Sequence, residues 1–85
     1  MASYSLFLKP SALKELEAVP LADRRRIVTK IRGLGAEPRP RGSEKLSGEE
    51  KYRVRQGTYR VVYSVDDAKR EVVVFKIGHR RDVYR

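Results

Sequence analysis

The side chains best suited to chemistry lie in the second half of the chain. Arg53, Arg55 and Arg60 fall within YRVRQGTYRVVY, residues 52–63, and His79, Arg80, Arg81 and Tyr84 fall within the terminal GHRRDVYR. A guanidinium is always charged and presents a planar fork that holds two phosphate oxygens at once. An imidazole or a phenol can move protons. RNA cleavage requires little more, because an internal 2′-OH supplies the nucleophile. The protein must hold sugar and phosphate in line, neutralise charge building on the phosphoryl oxygens and help protons move. A phenol with a pKa of about 10 is a poor base at neutral pH unless cations lower it, and a ring of arginines pushes in that direction. A phosphate-binding surface with no chemistry would use the same arginines equally well.

Other chemistries lack their residues. There is no Cys, which excludes disulfides and thiolate metal sites and fits a reducing cytoplasm. The lone His cannot build a zinc site, and no Gly-rich phosphate loop or Ser/His/Asp arrangement is present. No metal or cofactor is therefore expected. Glu49-Glu50 and Asp66-Asp67 fall in polar stretches and read as solvated decoration. The net charge of +9 calls for a polyanionic or acidic partner. Residues 51–85 carry ten Lys/Arg against four Asp/Glu, and residues 1–50 ten against seven, so function is sought in the C-terminal half. No apolar run approaches the roughly 20 residues of a membrane helix, and MASYSLFLKPS lacks the order of a signal peptide. A soluble cytoplasmic protein with no membrane contact is expected.

The elements that must position these residues can be read from periodicity. Residues 1–85 leave room for one small domain, marginal in the surface it can bury. Tyr4–Leu8 reads as a strand closed by Pro10, with Ser11 a candidate helix cap. Leu13 and Leu16 then give a helical spacing up to Pro20. A second helix from about Leu21 to Leu34 gathers Ile27, Val28, Ile31 and Leu34 on one stripe, with Gly33 and Gly35 as its stop. Residues 36–50 read as a loop whose Arg39, Arg41 and Lys45 could touch a polyanion or simply be solvated. Tyr52–Tyr63 reads as a hairpin about Gln56-Gly57, which would set Arg53 opposite Arg60. Alternation puts Tyr52, Val54, Tyr59, Val61 and Tyr63 on a buried face and Arg53, Arg55 and Arg60 on the other. Val72–Phe75 opens an apolar strand of the kind covered on both sides. The fold expected is α+β, a small antiparallel sheet of about four strands with an N-terminal helical hairpin on one face.

Lys45-Leu46, Tyr52-Arg53-Val54-Arg55, Gly57-Thr58-Tyr59-Arg60-Val61-Val62-Tyr63 and Ile77–Tyr84 together resemble the RelE/ParE superfamily of bacterial toxins from toxin–antitoxin pairs, over essentially the whole chain. The GHR-x-x-VY ending is most similar to the RelE branch, whose members cut messenger RNA in the ribosomal A site. The resemblance implies that Arg60 and Arg80 stabilise the scissile phosphate, that Tyr84 is the general base, and that Arg53 and Arg55, with Lys45 and Arg81, bind RNA. His79 is carried as a helper, although its place after Gly78 at a strand end suits a structural role as readily. The family's best-known member has lysines where this chain has Arg53 and Arg55, and a loop cation where it has Ser47. The implied partners are a RelB-like antitoxin, the ribosome and mRNA, with DNA reached only through the toxin–antitoxin complex. Two rivals stand beside the nuclease: a ParE-like DNA gyrase poison, and a non-catalytic basic module that binds RNA or the ribosome.

Overall fold

The computed structural model describes residues 3–46 and 50–79. Among the described residues seven elements follow one another: β1 (Ser5–Leu8), α1 (Pro10–Glu17), α2 (Leu21–Ala36), β2 (Glu44–Lys45), β3 (Lys51–Gln56), β4 (Tyr59–Asp66) and β5 (Glu71–His79). They form an α+β layer pair, with both helices on one face of a five-stranded sheet ordered β1-β5-β4-β3-β2. β1 runs parallel to β5 and the other neighbours are antiparallel. The expected α+β architecture with a helical hairpin on one face holds, but the sheet is mixed where an antiparallel one was expected, because β1 lies parallel to β5, and it has one strand more than about four. The addition is β2, which spans two residues and is too short to show a periodicity in sequence.

Pro10 starts α1 because its fixed φ suits the first helical position and its missing N–H would have no partner there. Lys9 is the capping residue and makes no side-chain cap, so Ser11 lies inside the first turn instead of ahead of it. α2 does not stop at Gly33 and Gly35 but runs through them to Ala36. Gly35 has another reason to lack a side chain. A Cβ there would stand 3.2 Å from the Tyr4 carbonyl oxygen, where the Tyr4 amide donates to the Gly35 carbonyl at 2.8 Å. The chain before β1 is thus laced to the end of α2.

The core lies between the layers. Ala12 and Leu16 of α1 and Ile27, Ile31 and Leu34 of α2 meet Val54, Val61, Tyr63, Val72, Val74 and Ile77 of the sheet, all buried. Fully burying one such aliphatic side chain is worth about 1.5–3 kcal/mol, so this contact carries most of the stability. Tyr63 keeps its hydroxyl satisfied by donating to the Pro38 carbonyl at 2.7 Å.

The β3–β4 hairpin turns at Gly57-Thr58, one residue beyond the expected Gln56-Gly57. Gly57 has φ +61 and sits at the first central position, where primed hairpin turns require positive φ. Arg55 therefore pairs with Arg60, and Arg53 with Val62, in place of the expected Arg53–Arg60 pair. The partner of each residue moves by two positions, an even step, so side chains keep their faces. Along β5 a bulge leaves Phe75 without a partner, since Val62 pairs with Lys76 and Tyr63 with Val74. Glu15 of α1 serves this stretch, accepting from the Ile77 amide at 2.9 Å and from Lys76 Nζ at 3.2 Å. Val72 and Val74 are buried while Val73 and Phe75 are half-buried, so β5 is covered fully on one side only, contrary to the two-sided cover expected.

Candidate functional site

Arg53, Arg55 and Arg60 share the sheet face that the helices leave open, as the alternation of β3 and β4 dictates. Arg60 is 3% exposed, the one buried charged residue among those described. Its neighbour across β5 is Gly78, which adds no side chain to that face. Burying a guanidinium is costly unless it is balanced, so such a position marks a place where anionic charge is expected. Like charges directly opposite in a sheet are also destabilising, by roughly 0.2–1 kcal/mol, and Arg55 stands opposite Arg60.

Among the described residues, Glu44 brings an anion to this cluster. Glu44 pairs with Arg53 in the β2–β3 ladder, and Arg53 Nη2 donates to Glu44 Oε1 at 2.8 Å. The Glu44 carboxyl is held below the ordinary carboxylate range, first by this hydrogen bond and the Arg53 charge, then by Arg55 and Arg60. Glu44 was not expected in the site. The signal was present, since one carboxylate precedes Lys45-Leu46, but two residues cannot reveal which face of an edge strand they take.

An open groove of about 380 Å³ adjoins the cluster, lined by Lys30 of α2, Arg41, Gly42, Ser43, Glu44, Val54 and Arg55. It brings Arg41, read from sequence as a loop cation, beside Arg55. The loop feeding β2 is fastened by Arg39. Arg39 donates through both terminal nitrogens to Asp67, at 3.1 and 2.9 Å, and through Nε to the Tyr52 hydroxyl at 2.9 Å. Tyr4 adds a 2.7 Å hydrogen bond to Asp67. Asp67 is thereby held below the usual carboxylate range, by the Arg39 contact first and the Tyr4 hydroxyl second. Asp67, read as solvated decoration, is the anchor of this loop.

Two expected residues are not brought to the arginines. Lys45 pairs with Tyr52, so alternation puts it on the other side of the edge strand, where its Nζ lies 3.6 Å from Glu50 Oε2. His79 pairs with Tyr59 and meets its ring edge-on at 5.9 Å, again on the side away from Arg60. Arg80, Arg81 and Tyr84 lie outside the described residues. Among the described residues no group of His and acidic side chains is arranged to hold a metal ion. No described helix is long and apolar enough to cross a membrane.

Over residues 6–84 the chain matches the family model described as the ParE toxin of type II toxin–antitoxin systems, parDE. It is 44% identical over 34 residues to Toxin RelG of Mycobacterium tuberculosis, a match spanning 40% of this chain and 39% of that protein. In structure it is similar to the toxin-antitoxin complex RelBE2 of M. tuberculosis, with TM-score 0.81 and 28% identity over 92% of this chain and 99% of that one. A chain of the archaeal RelE-RelB complex from Pyrococcus horikoshii OT3 gives TM-score 0.79 and 30% identity, over 92% of this chain and 96% of that one. The open arginine face, the two-helix layer over a five-stranded mixed sheet and a family match reaching nearly end to end agree: the chain belongs to the ParE toxin family, within the RelE/ParE superfamily, and is a toxin of a type II toxin–antitoxin system.

Proposed function

We propose that this toxin is a ribosome-dependent endoribonuclease that cleaves mRNA without a metal and is neutralised by a RelB-like antitoxin. The observation that carries the reading is Arg60, a guanidinium almost wholly buried on the open face with Arg55 directly across from it and Arg53 on the same face. Arg53 and Arg55 hold the RNA backbone. The 2′-oxygen attacks the adjacent phosphorus, forming a 2′,3′-cyclic phosphate and breaking the bond to the 5′-oxygen, which leaves with a proton taken from water. Arg60 and Arg80 neutralise charge on the phosphoryl oxygens, and Tyr84 takes the 2′-OH proton. Arg81 adds backbone contact, and Lys45 does so from the edge of the sheet. The similarity to RelE chains in complex with their antitoxins supports an antitoxin partner. A high net positive charge supports the ribosome and mRNA as targets, with DNA reached through the antitoxin complex.

Inducing the toxin and mapping mRNA ends tests this. Fragments ending in 2′,3′-cyclic phosphate are expected, together with growth arrest relieved by co-expressed antitoxin, and intact message during arrest refutes the nuclease. The family description names the ParE toxin, which favours a second reading as a gyrase poison acting by protein contact. Tyr84→Phe separates the two. Toxicity that survives this change with intact mRNA belongs to gyrase contact or to binding alone.

A further inference from the structure

If the arginine face receives a phosphodiester, as the nuclease reading requires, one of its seats already holds an anion. Glu44 Oε1 accepts from Arg53 Nη2 at 2.8 Å. We propose that Glu44 is the resident occupant of a phosphate seat: its carboxylate takes the Arg53 contact in the RNA-free toxin and gives it up when an RNA backbone binds.

A carboxylate and a phosphodiester offer a guanidinium the same thing, two oxygens sharing one negative charge. The order of burial sets which partner leaves. The Arg53 side chain is 14% exposed and that of Glu44 53%, so the carboxylate lies to the solvent side of the fork it occupies. Neither residue of β2 is buried, and the strand pairs on one side only, so releasing this side chain disturbs no core contact. The resident anion also has a use in the free protein. Arg55 and Arg60 repel each other across the hairpin, and Glu44 lies within the electrostatic reach of both.

The exchange makes the seat selective. A lone phosphate gains from Arg53 only what it displaces. A polyanion that reaches Arg55 as well gains contacts beyond the Glu44 ion pair it displaces, so extended RNA is favoured over small anions. Glu44 therefore sets the threshold of affinity at the site.

The test uses the full chain and a short 2′-O-methyl RNA, which lacks the nucleophile and stays intact, with binding followed by fluorescence anisotropy at 0.05–0.2 M salt. Glu44→Gln is expected to tighten binding about two- to five-fold, the range to which an ion pair of this exposure converts. Glu17→Gln removes the same charge from an exposed position on α1 and is expected to change affinity by less than about 1.5-fold, because screening limits distant charges. Glu44→Asp keeps the charge with a shorter reach and is expected to fall between wild type and Glu44→Gln. Should Glu44→Gln not fold, the Asp variant carries the test. Equal or weaker binding by the folded Glu44 variants overturns the inference and leaves the nuclease standing. Absence of RNA binding by wild type overturns the inference, whereas the nuclease is judged separately, by the mRNA ends that follow induction.

Discussion

Arg55 stands directly opposite Arg60 across the β3–β4 hairpin, one exposed and the other 3% exposed, so the pair presents a surface cation above a buried one. A phosphate held by Arg55 would meet Arg60 where water is scarce and charge interactions are strong. Arg60→Lys keeps the charge but loses the fork. On the nuclease proposal, losing one preorganised donor to a developing oxyanion costs about 10²–10³ in rate, and a loss of that order is expected in single-turnover cleavage on mRNA-programmed ribosomes. Cleavage within about threefold of wild type would remove Arg60 from the reaction.

The arginine face is legible in the sequence because a strand has a period of two. The turn lies one residue beyond the position that the sequence suggests, yet Arg53, Arg55 and Arg60 share one side in either register, since the shift in partners is even. The same periodicity did not reach Glu44, which lies on a strand of two residues, or Lys30 and Arg41, which close on the groove only through tertiary packing. Lys45 and His79 were linked to the arginines by motif, and a motif does not say which face of the sheet each residue takes. Their pairing partners, Tyr52 and Tyr59, do.

His79→Ala follows from that separation. The imidazole meets the Tyr59 ring edge-on at 5.9 Å, a contact worth about 0.5–1.5 kcal/mol. Urea unfolding is expected to show a loss of that size, with mRNA cleavage changed by less than about threefold. A cleavage defect of 10²-fold or more at unchanged stability would return His79 to the chemistry.

Asp67 contributes to how the fold fails in acid. Its carboxyl lies below its ordinary pKa of about 3.9 because Arg39 and Tyr4 hold the charged form, so the folded state binds fewer protons than the unfolded one. The resulting stability is present above the unfolded pKa and is lost as pH falls through the folded value, that is, below about pH 4. Glu44, also lowered, adds to the same limb. Asp67→Asn is expected to flatten the fall in thermal midpoint between about pH 5 and pH 2 and to lower the midpoint at pH 7. An acid limb identical to wild type would show that the Arg39 contact does not stabilise the fold.

Tyr63 ties the same loop from beneath. The residue is wholly buried, with its ring 5.8 Å from that of Tyr52, and its hydroxyl reaches out of the core to the Pro38 carbonyl at 2.7 Å. Burial pushes the phenol above its ordinary pKa, so it remains a neutral donor at neutral pH. Tyr63→Phe keeps the packing and removes one hydrogen bond, leaving the carbonyl to find another partner. The expected cost is about 0.5–1.5 kcal/mol by denaturant titration with an unchanged m-value. Because Pro38 opens the segment that carries Arg39, Arg41 and Glu44, amide exchange at positions 39–45 should quicken more than in β4 or β5. Uniform quickening across the sheet would mean that the hydroxyl stabilises the whole fold and does not fasten this loop in particular.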